Sequence, residues 1–351
     1  MVNSSISRVI SRLRFPLMVG VVFIHSKSIF IKPEMPLLSN IATFFSSILP
    51  SFCVPLFFTF SGYLFFASTP NLTPSDYGRK LKKRFRTLAV PYLFWNSLTI
   101  AALWITGRLV PSIANPVFET ASSTLSPELL KCFYCLSDGF PIAYQFWFVR
   151  DLMIAIVFSP IVYLIVKKTP IGIICLTISY FILPHMTAWY FFSLGAYFAV
   201  QQRDFIALSN KLFKYAVIIG TLSLITLIAI GNIFKAAEFY IISSMIVVVA
   251  VAAKCIGTHS KYNHFFSKYC RTAWQYTGGR YDPSFFLFCY HTLPLMVIKK
   301  ISSSFLADKS EWFWIVDYFF NPIIVTIIGV VLYKYLYKYA PRLLSFVTGG
   351  R

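Results

Sequence analysis

The sequence predicts an all-α, polytopic membrane bundle of about ten transmembrane helices with both termini in the cytoplasm. Three observations predict it. Apolar residues make up 57% of the 351 and charged residues only 13%, against about 45–50% and about 25% in a soluble globular domain. Mean hydropathy is accordingly +0.69. The apolar residues gather into runs of the length that crosses a bilayer, about 20 residues each. The 32 Lys and Arg, against 12 Asp and Glu, lie in the short connections between those runs. A soluble enzyme and a disordered chain are thereby excluded. So is a nucleic-acid binder, despite the net charge of +20, because the cations do not share one polar face.

Ten spans are predicted, at roughly 13–30, 41–66, 88–106, 142–166, 170–186, 188–200, 213–233, 239–256, 285–304 and 312–335. The fifth and sixth are short and meet at Pro184-His185, where a re-entrant pair is the alternative to two full spans. With a cytoplasmic N-terminus, 23 of the 32 basic residues fall inside and 8 outside, and Arg150 falls within a span. That asymmetry sets the orientation, and an even number of spans preserves it. The first helix has no small-residue cleavage site behind it and reads as an uncleaved anchor. The longest polar connection, about 107–141, is too small for an appended soluble domain, so residues 1–351 form one integral membrane domain. Cys132 and Cys135 lie on this connection as C-x-x-C, either as a disulfide or as two thiols. Two ligands do not make a four-ligand zinc site, and no metal is expected.

Ionisable groups inside spans are costly and mark functional cavities. In the first helix, Arg14 and His25 are eleven positions apart. Eleven steps of about 100° return to nearly the same face, about 16 Å further along the axis. This stripe would line a passage, with a cation at the cytoplasmic mouth and an imidazole, suited to moving protons near neutral pH, deeper in. Each also has a plainer reading. Arg14 could snorkel to the headgroups, and His25 could be a core histidine bonded to a carbonyl.

Before the third span runs Arg79-Lys80-Leu81-Lys82-Lys83-Arg84-Phe85-Arg86, a cytoplasmic anchor for anionic lipid. Lys83 and Arg86, three apart and adjacent on a helix face, could also grip the phosphates of an anionic donor. In the fourth span, Arg150 and Asp151 diverge by about 100° on a helix and are expected to find partners on other helices. Trp147 beside them is an interface anchor or a cavity wall. Asn96, Asp317 and His291 are further intramembrane polar groups, with Asn96 and His291 as candidate cavity liners. Ser61-Gly62 is expected to form a close helix contact through small residues.

Taken together, these segments resemble the type-3 membrane acyltransferases, multi-pass bacterial enzymes that O-acylate surface polysaccharides. The resemblance runs over nearly the whole chain. It rests on Arg14 with His25, on Phe60-Ser61-Gly62-Tyr63, and on Lys82 through Pro91-Tyr92-Leu93-Phe94-Trp95-Asn96. Gln145-Phe146-Trp147-Phe148-Val149-Arg150-Asp151-Leu152, Tyr190 through Tyr197, Ser284 through His291 and Pro341 through Arg351 complete it. The family's paired Arg before the third helix is matched by Lys83 and Arg86, so the first position departs from it. The extracytoplasmic hydrolase-like domain of some members is missing, so a separate extracytoplasmic partner is the alternative to acting alone.

The resemblance implies a protein of the bacterial inner membrane with no bound cofactor. Its co-substrate would be an acyl-CoA, acetyl-CoA foremost, and its acceptor a hydroxyl of a surface or lipid-linked glycan. His25 would act as general base or acyl carrier, Arg14 would position the donor, and Lys83 and Arg86 would bind it. A flippase for a lipid-linked sugar is the competing class.

Overall fold

The computed structural model describes residues 4–27, 34–109, 141–168, 170–257 and 282–350, and regular structure among the described residues is entirely helical. Cys132 and Cys135 lie outside the described residues. Helix α1 spans Ser4–Ile24. It begins nine residues before the predicted 13–30 segment because Ile6, Val9, Ile10 and Leu13, at helical spacing, are buried in the core. It stops at His25, where the Lys299 ammonium takes the free carbonyls of His25 (2.9 Å) and Lys27 (3.3 Å). A cation is favoured at that end of a helix.

Helix α2, Pro36–Thr43, runs through a π turn, Phe44–Ile48, toward α3, Cys53–Phe66. Helix α4, Pro74–Arg84, is capped by Thr73, whose hydroxyl accepts the Asp76 N–H at 3.2 Å. It passes through a second π turn, Phe85–Ala89, into α5, Val90–Leu109. A 3-10 turn at Tyr144–Phe146 opens α6, Trp147–Val157, which bends by 64° into α7, Ser159–Lys167. Then come α8 (Ile171–Ile182), α9 (Thr187–Val200), α10 (Phe205–Ala229) and α11 (Ala236–Gly257). Helix α12, Ser284–Tyr290, bends by 49° into α13, Thr292–Leu306. The long α14, Glu311–Tyr339, and the short α15, Pro341–Thr348, follow.

Helices occupy all ten predicted segments. Five described stretches are long and apolar enough to cross a membrane, and the two bent pairs raise this to seven. The other three segments are α1, with Arg8, Arg12 and Arg14 in its first half, and the short α8 and α9. At ~1.5 Å per residue, α8 and α9 are about 18 and 21 Å long, less than the ~30 Å of hydrocarbon.

The tightest helix contact is where α3 crosses α9. A Cβ built on Gly62 would stand 2.0 Å from the Phe192 carbonyl oxygen, and one on Gly195 would stand 1.9 Å from that of Thr59. Small residues permit such backbone approach, as the Ser61-Gly62 pair leads one to expect. Helix α15 docks on α5, with the Trp95 indole N–H donating to Val347 O at 3.0 Å. Its end is closed by Gly349 in the left-handed conformation (φ 68°), against the Thr87 main chain. Glycine adopts that conformation without cost.

Candidate active site

Helices α1, α3, α6, α12 and α14 and the turn between α4 and α5 enclose a cavity of about 600 Å3. Arg14, Met18, Val21 and His25 form its α1 wall. The eleven-residue spacing predicted this shared face, and both side chains point into the same space. Apolar side chains make most of the remainder, among them Val54, Phe57, Phe60 and Leu64 of α3, Phe148, Leu152 and Ile156 of α6, and Phe285 and Phe288 of α12. Apart from Ser61 of α3, the polar groups fall into two clusters.

In the first cluster sit Arg14, Arg84, Asp282 and Ser284, with Tyr333 and Tyr337 on the α14 side. Asp282 is organised by the start of α12. Its Oδ1 accepts the Ser284 N–H at 3.0 Å and the Ser284 hydroxyl at 2.5 Å. Its Oδ2 accepts Arg14 Nη1 at a loose 3.5 Å, with both side chains partly open to solvent. A pair so long and so exposed contributes little to stability, which leaves Arg14 free to exchange partners. Arg84 closes α4, and Lys80 one turn earlier donates from its ammonium to the Phe65 carbonyl at the end of α3.

The other cluster holds His25, Gln145 and Trp147. The His25 ring meets Tyr144 edge-on at 4.8 Å between centroids and His291 at 5.2 Å. Gln145 is buried. Its amide N–H donates to Cys289 O at 3.2 Å, and its Oε1 has no hydrogen-bond partner among the described residues. This orphan acceptor beside an apolar chamber is suited to an N–H or O–H of a bound molecule.

Of the remaining predicted site residues, Trp147 lines the cavity. Lys83 and Arg86 are exposed and lie off its wall, and the inward-facing cation of this basic segment is Arg84. Asn96, Arg150, Asp151 and His291, expected as cavity liners, also lie off the wall. Asn96 is fully buried. It donates to Tyr92 O at 2.8 Å and accepts the Ala143 N–H at 3.1 Å, tying α5 to the turn that presents Gln145. Replacing Asn96 with Ala leaves a buried N–H unpaired, which costs about 1–3 kcal/mol. Thermal unfolding of the purified protein should show the lower midpoint.

Although their positions diverge by about 100° on a helix, Arg150 Nε donates to Asp151 Oδ1 at 2.8 Å. The long Arg150 side chain folds back over the angle that separates adjacent positions. Asp317 accepts from Ser302 (3.2 Å) and Asn321 (2.8 Å), a lock between α13 and α14 away from the cavity.

Arg84, Asp282 and Gln145 were missed as site residues by sequence reasoning. Lys80 and Arg84 are four apart and share one face of α4, and both are only partly exposed. Asp282 is the only acidic residue between Glu238 and Asp308.

Fold and cavity together define an integral membrane protein with a largely apolar chamber inside its helix bundle, lined by arginines and by an imidazole. The chain belongs to the acyltransferase-3 family, whose acyltransferase-domain model matches residues 10–334. It is 26% identical over 364 residues to the succinoglycan biosynthesis protein ExoH of Rhizobium meliloti (strain 1021), across 99% of this chain and 94% of that protein. No solved structure matches it significantly. The protein is therefore a membrane acyltransferase moving a group other than an aminoacyl group.

Proposed function

We propose that the protein takes an acyl group, acetyl foremost, from a cytoplasmic acyl-CoA and places it on a hydroxyl of a surface or lipid-linked glycan. The observation that carries this reading is the single cavity shared by Arg14 and Arg84 at one end and His25 at the other. Guanidinium groups bind phosphates by paired, charge-assisted hydrogen bonds. The diphosphate of coenzyme A lies between Arg14 and Arg84, displacing Asp282 from Arg14, and the exposed Lys83 and Arg86 draw the donor toward the mouth. The pantetheine arm threads the apolar middle. Its extended reach equals that of about four to five peptide units at ~3.5 Å each, which matches the ~16 Å from Arg14 to His25 along α1. The thioester then stands beside the imidazole.

His25 removes the proton from the acceptor hydroxyl as its oxygen bonds to the thioester carbonyl carbon. The C–S bond breaks, and the proton passes from His25 to the departing thiolate. Each turnover yields one ester and one CoA thiol, and no further reactant is consumed. A glycan acceptor follows from the likeness to ExoH, which is named for succinoglycan biosynthesis. Action at the inner membrane of a bacterium, alone or with a separate extracytoplasmic partner, belongs to the same reading.

The test is incubation of the purified, lipid-reconstituted protein with acetyl-labelled acetyl-CoA. Release of CoA with transfer of label supports the proposal, and the absence of both overturns it. In the same assay Arg84→Gln should raise the acetyl-CoA KM about tenfold, equivalent to losing ~1.4 kcal/mol of phosphate binding. Lys83→Gln and Arg86→Gln should each have a smaller effect.

A further inference from the structure

His291 is buried completely, on the bend between α12 and α13. Its Nδ1 lies 3.0 Å from Leu287 O and 2.9 Å from Phe288 O. Carbonyl oxygens only accept, so Nδ1 carries the hydrogen and Nε2 is left as a bare acceptor. That nitrogen has no hydrogen-bond partner among the described residues. An orphaned buried acceptor costs free energy, and His291 Nε2 would gain its missing bond if a donor approached. The imidazole of His25, from α1, lies 5.2 Å away between ring centroids, inclined by 35°.

We propose that His291 is a positioning residue for His25: its Nε2 accepts a hydrogen bond from the His25 N–H that turns away from the cavity when His25 takes up the acceptor's proton. The bond holds one nitrogen of His25 toward the cavity and stabilises the imidazolium that forms there. A dyad of this kind rests on His25 being the base, as proposed above. It is open in the resting protein and closes as charge develops, as catalytic hydrogen bonds do between free and reacting states. The other titratable groups facing the pair are Tyr144, whose ring touches His25, and Lys299, whose ammonium binds the His25 carbonyl. The ammonium opposes a second positive charge nearby, so an acceptor behind His25 has an electrostatic task.

The critical variant is His291→Asn. Its amide N–H retains the bond to the helix carbonyls while the acceptor at the Nε2 position is removed. His291→Ala removes both. CoA release from acetyl-CoA is followed across pH in the lipid-reconstituted full chain. His291→Asn should lower kcat ten- to hundredfold, leave the acetyl-CoA KM within about twofold, and shift the pH at which the basic form of His25 becomes active.

A second readout does not depend on the donor. The rate at which diethyl pyrocarbonate modifies His25, resolved by peptide mass spectrometry, should fall at least threefold in His291→Asn. Wild-type kcat and wild-type His25 modification in His291→Asn would overturn the dyad, as would a loss confined to KM. Full turnover in His25→Ala would instead remove the proposed function, while the modification experiment would still report whether the two imidazoles are coupled.

Discussion

His25→Ala should abolish measurable acyl transfer while the protein accumulates in the membrane as before. Loss of a general base alone slows a reaction by about 10²–10⁴-fold, and loss of an acyl carrier removes the route entirely. The substitution is mild for the fold. The bond that anchors this position runs from Lys299 to the main-chain carbonyl of His25 and survives any side chain. Among the described residues, the imidazole makes ring contacts with Tyr144 and His291. The measurement is ester content of the surface glycan in a deletion strain carrying the variant, with protein abundance followed by immunoblot. Retained ester at normal abundance would take His25 out of the reaction.

The largest structural effect is expected at the crossing of α3 and α9. In Gly195→Ala the new methyl carbon would stand 1.9 Å from the Thr59 oxygen and 2.7 Å from the Tyr63 nitrogen. Both are main-chain atoms, so no flexible side chain can yield, and the two helices must separate. Overpacking of this kind usually costs about 1–3 kcal/mol and sometimes more, and the upper end applies where backbone meets backbone. Helix α3 also supplies Val54, Phe57, Phe60, Ser61 and Leu64 to the cavity, so activity should fall with stability. Gly78→Ala is the control. Nothing lies within 4 Å of its added carbon, and alanine in a helix gains up to ~1 kcal/mol over glycine. Thermal unfolding and CoA release, measured together, should fall for Gly195→Ala and hold or rise for Gly78→Ala.

Periodicity made one wall of the chamber legible and left the others hidden. Arg14 lies in α1 and His25 directly follows its last residue, Ile24, so counting residues was enough to place both. The contact through Gly62 was legible for the same local reason. Lys83 and Arg86 were selected by their spacing and by their match to the family's paired basic positions. The π turn at Phe85–Ala89 changes the register between α4 and α5 by about one residue, or about 100°, so a spacing carried across it does not define a face. His291 is three residues beyond Phe288, which lines the cavity. The 49° break between α12 and α13 takes it behind His25 instead of onto the wall. Asp282 meets Arg14 across 268 residues, and no local pattern announces such a pairing. Asn96 was recognised as buried, but its partner, the Ala143 N–H, belongs to a turn whose position only the assembled bundle defines.

The docking of α15 bears on the order in which the protein is made. Trp95 gives its indole N–H to Val347, its neighbour Phe94 packs edge-on against Phe346, and Gly349 fits against Thr87, one residue from the cavity-lining Leu88. Domains generally fold from the N-terminal side while synthesis proceeds. Here the segment beside the cavity-lining Leu88 lacks its partner until α15 and Gly349 have been made. This side of the cavity is thus braced only after its other walls are in place, and a nascent chain halted after α14 would carry both Arg14 and His25 without that brace.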